Sequence, residues 1–463
     1  MYDIGRVFFV WYDSIMENNN RLKKFIANPR RALFVLAGPV LVGMAVQTAY
    51  SIADTAFVGR LGAPAIAALS FSSPLFFILI AINSGISTGM SSMVARFLGA
   101  EDKAKAENSA LHAVAISVAT ALVISVLGFF ILRPMLVLFG ASGDVLELAA
   151  GYLRIIFIGT LFMFPAFTID SIFSSEGDTL LSMKIQIFSL AVNIVLDPIL
   201  IYGFHLGVRG AALATLIATF SALAVSVYYL KKKSYIKLDP RYFRFSWEII
   251  RENFSIGVPS AFMIVLISMY VVFLNRLMAH FGTDYVASFG LVSRLESVAI
   301  LLPVGFSVAL LTLTGMFYGA KRYDLLKNIV WYAIGISSAF SASIGIIFFI
   351  WPEIFLRIFT ADENLLALGG GYLRLDVLTF PLMAVMLTTT RALQGIGTGV
   401  PGFVANLVRI FLVAVPLAYL FVYVFGFGYL SIAWAMVLGG IAADTVLVIW
   451  LVIKLTGLNG KST

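Results

Sequence analysis

The sequence predicts an all-α integral membrane protein with twelve transmembrane helices, arranged as two six-helix lobes related by a pseudo-two-fold axis along the membrane normal. Three observations predict this fold. Of 463 residues, 60% are hydrophobic and only 12% are charged, whereas a soluble domain has roughly 25% charged residues. Many apolar runs reach the roughly 20 residues that cross a bilayer. The chain also repeats itself at an interval of 220 residues, as Pro39 and Pro259 illustrate.

The predicted helices are apolar runs that end at glycine, proline or charged residues. They lie near 32–58, 65–97, 109–137, 148–173, 182–204, 209–231, 249–281, 284–316, 328–355, 370–393, 397–426 and 428–455. The tail before them, 1–31, contains one apolar patch from Val7 to Trp11, which is too short to span and lacks a small-residue cleavage site. We expect the tail to be interfacial or disordered and not a signal peptide.

Basic residues collect in alternate connections, and this pattern orients the helices. The net charge of +8 is therefore interpreted as topology and not as affinity for nucleic acid. The longest connection alone carries six basic residues, Lys231, Lys232, Lys233, Lys237, Arg241 and Arg244. We predict a multi-pass protein of the cell membrane with a cytoplasmic tail (1–31), an N-lobe (32–231), a cytoplasmic linker (232–248), a C-lobe (249–455) and a cytoplasmic C-terminal tail (456–463).

The internal repeat needs no gaps over most of its length. Gly151-Tyr152-Leu153-Arg154 aligns with Gly371-Tyr372-Leu373-Arg374 at the same interval of 220 residues as the prolines. Since each copy has six predicted helices, both copies enter the membrane in the same sense. This arrangement predicts a central cavity between the lobes, and it favours alternating access by rocking of the lobes over a channel.

Three polar residues inside the predicted helices have no counterpart in the second copy. Asp54 in helix 1, and Asn193 and Asp197 in helix 5, all correspond to apolar residues there. A carboxylate within a span costs about 2.5–3.5 kcal/mol or more, so it indicates function by default. Asn193 and Asp197 lie on one helix face, and Pro198 leaves the carbonyl of Ile194 free beside them.

These oxygens suit a small cation such as sodium, and the same carboxylates could instead hold a proton. Two plainer roles remain open, namely a structural hydrogen bond at a kink for Asp197 and a helix cap for Asp54. Gln47 and Tyr50 lie on the same stripe of helix 1 as Asp54. With Met44 and Met163 they are candidates for an adaptable substrate-binding wall, although core packing is the simpler role for each. The candidate substrate-binding residues are therefore Gln47, Tyr50, Met44 and Met163.

These motifs resemble those of the multidrug and toxic compound extrusion (MATE) family. The matching elements are Ala53-Asp54-Thr55, Glu176-Gly177-Asp178-Thr179 and Asn193-x3-Asp197-Pro198, and the resemblance covers residues 32–455. The last element is similar to the DinF-like branch. Residues 259–273 lack the glutamate that the NorM-like branch places in helix 7.

The resemblance implies a coupling cluster in the N-lobe, and it carries the roles over to named positions. The implied proton or cation-coupling residues are Asp54, Asn193, Asp197, Thr215, Asp170 and Tyr152. If sodium is the coupling ion, the resemblance implies Asp54, Asn193, Asp197 and Thr215 as its ligands. Asp376 falls where other branches place a cation-binding acid, and a structural pair with Arg374 is the plainer alternative. Arg154 and Asp170 are a second possible pair.

We therefore expect an antiporter, and not an enzyme, that exports lipophilic, often cationic, compounds in exchange for protons and/or sodium ions. The prolines Pro39 and Pro198 are the expected sites of helix bending. Substrate and ion should oppose each other's binding. We expect no cofactor other than the ion, no nucleic-acid partner and a monomer in the lipid bilayer. The chain has no cysteine and only three histidines, and its final GLNGKST lacks the first glycine of a phosphate-binding loop.

A flippase for a lipid-linked saccharide of the same superfamily is the main alternative. Such a flippase would need basic residues in its cavity to bind a diphosphate, whereas the N-lobe helices carry acids. A major facilitator transporter also has parallel six-helix repeats, but its basic loop signature is absent here. A lipid-modifying enzyme would need a cluster of histidine, cysteine or acidic residues, and the sequence indicates none.

Overall fold

The structure is a computed structural model that describes residues 21–458, except for the side chains of residues 51–53. Within the described residues the chain is helical and contains no strand. The apolar patch from Val7 to Trp11 and the last five residues lie outside the described range. Of the predicted N-terminal tail, the described part forms a short helix, α1 (Arg21–Ala27), and the first turn of the helix that follows it.

Six long helices follow α1 in the first half of the chain. They are α2 (Pro29–Gly59), α3 (Ala63–Gly99), α4 (Lys103–Leu138), α5 (Gly143–Ser175), α6 (Thr179–Pro198) and α7 (Val208–Lys232). The chain continues from α6 as a π-helix, Ile199–Gly203. All six helices predicted for this half are confirmed, with boundaries that agree within a few residues. The linker that follows contains one 3-10 turn, Pro240–Tyr242.

The second half of the chain contains ten helical segments. They are α8 (Trp247–Ala279), α9 (Thr283–Ala299), α10 (Leu301–Gly319), α11 (Tyr323–Ile350), α12 (Pro352–Leu356), α13 (Glu363–Asp376), α14 (Thr379–Gly395), α15 (Val400–Leu407), α16 (Val415–Tyr419) and α17 (Leu430–Gly457). Two π-helices, Val408–Ala414 and Leu420–Val424, join α15 and α16 into one span. The described residues hold 11 helices that are long and apolar enough to cross a membrane, or up to 12 if a bent pair counts as one span.

Two predicted helices are broken in the structure, which corrects their expected continuity. The predicted helix 284–316 is interrupted at Ile300, and 370–393 is the pair of α13 and α14, bent by 49°. Pro303 and Pro381 lie just after these two breaks. Proline lacks an N–H and its ring crowds the carbonyl four residues earlier, so each proline disrupts the helix at the position where the break occurs.

The described residues form two compact units. The first contains Arg21 and Gly38–Ala261, and the second contains Leu22–Ala37 and the chain from Phe262 onward. Each boundary therefore passes through a helix, α2 or α8, within three residues of a proline, and not between helices as the lobes 32–231 and 249–455 were drawn from the sequence. The first half of α2 belongs to the second unit, and the first half of α8 belongs to the first.

Small residues attach the first half of α8 to α3. A Cβ atom added to Gly85 would lie 2.6 Å from the carbonyl oxygen of Gly257, so only glycine permits this approach of the two backbones. The Asn253 side chain donates a hydrogen bond to the carbonyl of Ile86 at 3.3 Å. Close backbone contact through small residues is a common way for helices to pack in membranes, where the hydrophobic effect between helices is weak.

A buried glutamate holds the start of the linker on the first unit. Glu176, 3% exposed, follows α5 directly. Its carboxylate accepts hydrogen bonds from the Ser234 hydroxyl at 2.5 Å, the Ile236 N–H at 2.8 Å and the Tyr235 N–H at 3.2 Å. Burial raises the pKa of the Glu176 carboxyl above its ordinary value, while these donors act in the opposite direction. The linker is thus held by a desolvated acid.

The end of the linker is attached to α4. Asn108 exchanges two hydrogen bonds with the backbone of Arg244, at 2.9 and 3.0 Å. The Ser246 N–H donates to Nε2 of His112 at 3.0 Å, so Nδ1 of the neutral ring carries the hydrogen and donates to the Asn108 carbonyl at 2.8 Å. The linker therefore packs on the first unit along its length.

We predict that Glu176→Ala destabilises the protein by removing the acceptor for buried donors. An unpaired buried donor costs about 1–3 kcal/mol, and the apparent melting midpoint should fall by about 5–10 °C. Thermal unfolding in detergent measures this change, and trypsin should cut the lysine-rich linker faster. Glu248→Ala, at an exposed acid in the same region, is the matched control. Equal midpoints and equal cleavage rates for the two variants would contradict the role given to Glu176.

Candidate functional site

Four helices of the first unit place polar side chains at one level. Asp54 lies near the end of α2, Tyr152 near the start of α5, Asp197 one residue before the end of α6, and Thr215 near the start of α7. Each residue is within about ten residues, and therefore about 15 Å, of the helix end on the same side of the unit. Neighbouring antiparallel helices therefore bring the four side chains into one layer.

The side chains of this layer act on one another. The Asp54 carboxylate lies within electrostatic reach of Asp197, and Tyr152 lies within reach of both acids. Tyr50, one turn before Asp54, also faces the two acids, and its hydroxyl lies within hydrogen-bonding reach of the Thr215 hydroxyl. We call Tyr50, Asp54, Tyr152, Asp197 and Thr215, together with Asn193 on α6, the N-unit cluster.

The most unusual members of this cluster are Asp197 and Asn193. Asp197 is 0% exposed and Asn193 is 3% exposed. Both carboxylate oxygens of Asp197 and both polar side-chain atoms of Asn193 lack a hydrogen-bond partner in the described part of the protein. Buried polar atoms in proteins are nearly always paired, because an unpaired one costs about 1–3 kcal/mol. These four atoms are therefore placed to bind a proton, an ion or a polar ligand.

Pro198 ends the regular helix beside this acid. The following five residues, Ile199–Gly203, form a π-helix, and the Phe204 N–H closes it with a 2.9 Å bond to the Ile199 carbonyl. Proline removes one N–H from the ladder, so the hydrogen bonds downstream shift to a wider spacing. Short π-helical segments are frequent at functional sites. Asp197 thus sits at the last regular turn before a change in helix type.

An apolar layer separates the acids from the nearby helix ends. Val58, Ala65, Ile201, Val208 and Ala211 pack together there, and each is at most 3% exposed. The Tyr202 hydroxyl also donates to the carbonyl of Phe57 at 2.5 Å. A low-dielectric covering strengthens every electrostatic interaction beneath it.

The expected substrate-binding residues are divided among different environments. Tyr50 belongs to the N-unit cluster, while Gln47 is exposed and accepts a hydrogen bond from Gln186 at 3.5 Å. Met44 is half-buried. Met163 packs partly buried against the core cluster that includes Leu79, Ile86, Ala121, Ile156, Phe164 and Ala212. The helix that carries Tyr50 and Gln47 runs through Pro39 without a break.

Asp170 does not join the N-unit cluster, which corrects the expectation that it belongs there. It lies 18 residues after Tyr152 on α5, a separation of about 27 Å along the helix. Ser182 donates to its backbone carbonyl at 3.2 Å, near the opposite end of the unit. The proposed pair with Arg154 is also wrong, because Arg154 is exposed and lies 6.0 Å from the Phe129 ring.

A second buried group of charges, which sequence reasoning did not assemble, lies in the second unit. Arg409, 4% exposed, lies within electrostatic reach of Glu296, Asp376 and Asp444. Its guanidinium is also 5.2 Å from the Tyr270 ring centroid. We call these five residues the second-unit cluster. Sequence reasoning treated Glu296, Arg409 and Asp444 as isolated charges, because four different helical segments supply the cluster.

The partner of Asp376 also differs from the expected one. Arg374, the expected neighbour, is exposed, whereas Asp376 is 1% exposed and points into the unit. In a helix, residues two apart lie on opposite faces, so Arg374 and Asp376 cannot share one environment. Leu274, the counterpart of Asp54, is buried in the apolar core of the second unit. The two buried clusters therefore occupy non-equivalent positions of the repeat.

Comparison with known proteins identifies both copies of the repeat. The family model MatE matches residues 39–199 and, a second time, residues 259–420. The two matches begin 220 residues apart, which confirms the interval read from the sequence. The multidrug export protein MepA of Staphylococcus aureus (strain MSSA476) is 26% identical over 420 residues, which cover 88% of this chain and 90% of MepA.

Two solved structures have the same fold. A MOP superfamily transporter from Pyrococcus furiosus Vc1 is 29% identical and superposes with a TM-score of 0.87 over 93% of this chain and 97% of that chain. A multidrug resistance MATE family transporter in an outward-facing conformation gives 29% identity and a TM-score of 0.88 over the same shares. These matches span both repeats, so the similarity extends to the whole arrangement of helices.

We predict that Gly210→Ala destabilises the region of the N-unit cluster. The added Cβ would lie 2.7 Å from the carbonyl of Leu200 and 2.9 Å from the amide nitrogen of Ile201, so the π-helix after Asp197 must move. Such overpacking costs about 1–3 kcal/mol. Gly203→Ala, where nothing lies within 4 Å of the added atom, is the control. Thermal unfolding compares the two, and equal melting midpoints would show that Gly210 is not needed for this approach.

Proposed function

Since the chain belongs to the multidrug and toxic compound extrusion (MATE) family, we propose that it exports lipophilic, often cationic, compounds across the cell membrane in exchange for protons and/or sodium ions. The observation that carries the ion coupling is the Asp197 carboxylate, which is buried, has no hydrogen-bond partner in the described part of the protein, and faces Asp54. The name of its relative MepA, a multidrug export protein, supports the class of substrate.

The proposed coupling uses the repulsion between two carboxylates. Two like charges beneath an apolar layer repel each other more strongly than they would in water. A proton or sodium ion bound between Asp54 and Asp197 removes one negative charge and favours the close approach of α2 and α6. Loss of the ion favours their separation. An ion can shift a conformational equilibrium only by such a difference in affinity between two states.

Neutral oxygens distinguish the two possible ions. The described residues contain no group of three or more His, Cys, Asp or Glu side chains that could hold a metal ion. A sodium ion at the N-unit cluster would therefore need the amide oxygen of Asn193 and the hydroxyl of Thr215 in addition to the two carboxylates, since hard cations prefer oxygen ligands. A proton would need only a carboxylate.

The same negative charge explains the proposed competition between ion and substrate. A lipophilic cation near Tyr50 would be attracted by Asp54 and Asp197 while they are ionised, and a bound proton or sodium ion would weaken that attraction. By linkage, the substrate must then weaken ion binding by the same factor. The phenol rings of Tyr50 and Tyr152 provide apolar faces that also attract cations.

We expect Asp197→Asn and Asp54→Asn to reduce gradient-driven export at least tenfold. Proteoliposomes with separately imposed proton and sodium gradients, loaded with a fluorescent lipophilic cation, measure this effect. Asp170→Asn is the matched control, because it removes an acid of the same unit about 27 Å away along α5. Undiminished export in both cluster variants would rule out coupling at the N-unit cluster. Loss in Asp376→Asn alone would move the coupling to the second-unit cluster.

We expect Asn193→Leu to weaken sodium-driven export about tenfold more than proton-driven export. The substitution preserves side-chain size and removes a neutral oxygen that can bind a cation but does not carry the proton. Thr215→Val tests the second neutral oxygen in the same way. The measurement is the concentration of sodium that gives half-maximal export, and an equal loss under both gradients would contradict a ligand role for these oxygens.

The saccharide-flippase alternative is tested on the same proteoliposomes. The N-unit cluster contains acids and no basic residue, so a diphosphate would be repelled there. We therefore expect no translocation of a fluorescently labelled lipid-linked saccharide under conditions that support export of the lipophilic cation. Translocation of the saccharide without export of the cation would replace the proposed function.

A further inference from the structure

An apolar groove with a basic rim lies at the end of the first unit that carries the linker. Its volume is about 390 Å³, which falls within the roughly 300–1,000 Å³ typical of ligand sites. Ile169 of α5 and Leu223, Val227 and Leu230 of α7 form most of its wall. The three α7 residues lie four and three positions apart, so they share one face of the helix.

Two lysines stand at the mouth of this groove. Lys231 is in the last turn of α7, and Lys237 is in the linker. The Lys237 ammonium donates to the Lys231 carbonyl at 2.9 Å, which keeps the two side chains adjacent and leaves two of its three N–H bonds for a ligand. Neither lysine makes an ion pair within the described residues.

The neighbouring charges leave these two lysines available. Lys232 and Lys233 lie over the rings of Tyr228 and Tyr229, at 5.4 and 5.5 Å. Asp239 also lines the groove, but its carboxylate accepts the Arg241 N–H at 3.0 Å and lies 3.8 Å from the Arg241 guanidinium. The rim therefore presents a net positive charge directly above an apolar channel.

We propose that this groove is a binding site for an anionic phospholipid. One acyl chain lies along the apolar wall formed by α5 and α7, and Lys231 and Lys237 hold the phosphate of the headgroup. A ligand with an apolar chain and one negative end matches the groove, whereas a lipophilic cation would meet two ammonium groups. Basic residues where helices leave the membrane attract anionic lipids, and basic pockets between helices bind their headgroups.

This site is separate from the proposed transport chemistry. Ile169 lies 17 residues after Tyr152 on α5, so about 25 Å of helix separate the groove from the N-unit cluster. The lipid would instead bridge α7 and the linker, which Glu176 and Glu107 already hold on the first unit through Ile236 and Lys237. A bound lipid therefore stabilises the linker on the first unit.

Native mass spectrometry of the full chain in detergent tests the proposal. Phosphatidylglycerol should bind more tightly than phosphatidylcholine with the same acyl chains. The double variant Lys231→Gln/Lys237→Gln should lower the affinity for phosphatidylglycerol about thirtyfold, at roughly fivefold per lysine. Lys232→Gln/Lys233→Gln removes the same charge from the adjacent positions and is the control, with an expected change of less than threefold.

A second variant examines the apolar wall without changing charge. Val227→Trp fills the groove and should weaken phosphatidylglycerol binding at least tenfold, with thermal unfolding used to confirm that the variant is folded. Equal affinity for the two lipids, or equal losses in the two double variants, would overturn the proposal. Displacement of the lipid by millimolar inorganic phosphate would also overturn it, since the groove would then select a free anion.

Discussion

The backbone of a membrane-spanning segment has no water to bond with, so each N–H and C=O within the bilayer must be paired inside the protein. Helices satisfy this constraint, and prolines locally violate it. Pro198, Pro303 and Pro381 each precede or follow a change in helix type or direction in this chain. Asp197 lies directly beside one of these violations, where a carbonyl loses its regular donor. The chemistry proposed for the protein therefore depends on where the helical ladder is interrupted.

The two halves use one scaffold for different polar contents. The family model matches both copies, and prolines recur at the expected interval. The buried charges do not recur, because Asp54 is replaced by Leu274 in a close-packed apolar core, while Asp376 and Arg409 form a cluster at positions that have no charge in the first copy. Duplication supplies a stable frame of helices. Substitutions at a few positions then decide which half carries which electrostatic site.

Charge is sorted by depth in the first unit. Acids lie inside, at the N-unit cluster, while basic residues gather in the linker that follows α7. The two populations are separated because an isolated ammonium or carboxylate is costly in the apolar interior unless a function retains it. Glu176 shows the exception at the boundary, where a buried carboxylate is stabilised by backbone donors of the linker itself. The linker is consequently a packed element and not a loose connection.

The sequence by itself determined the membrane class, the repeat and the approximate helix positions, because hydropathy and repeated prolines are local properties. It also identified Asp54, Asn193 and Asp197, since acids and amides inside apolar runs need no tertiary information to be noticed. Only the tertiary structure decided which residues meet. It placed Tyr152 and Tyr50 beside the acids, left Asp170 at the far end of α5, and joined Arg409 to three acids on separate helices. Contacts between helices depend on their packing, which no single-helix pattern contains.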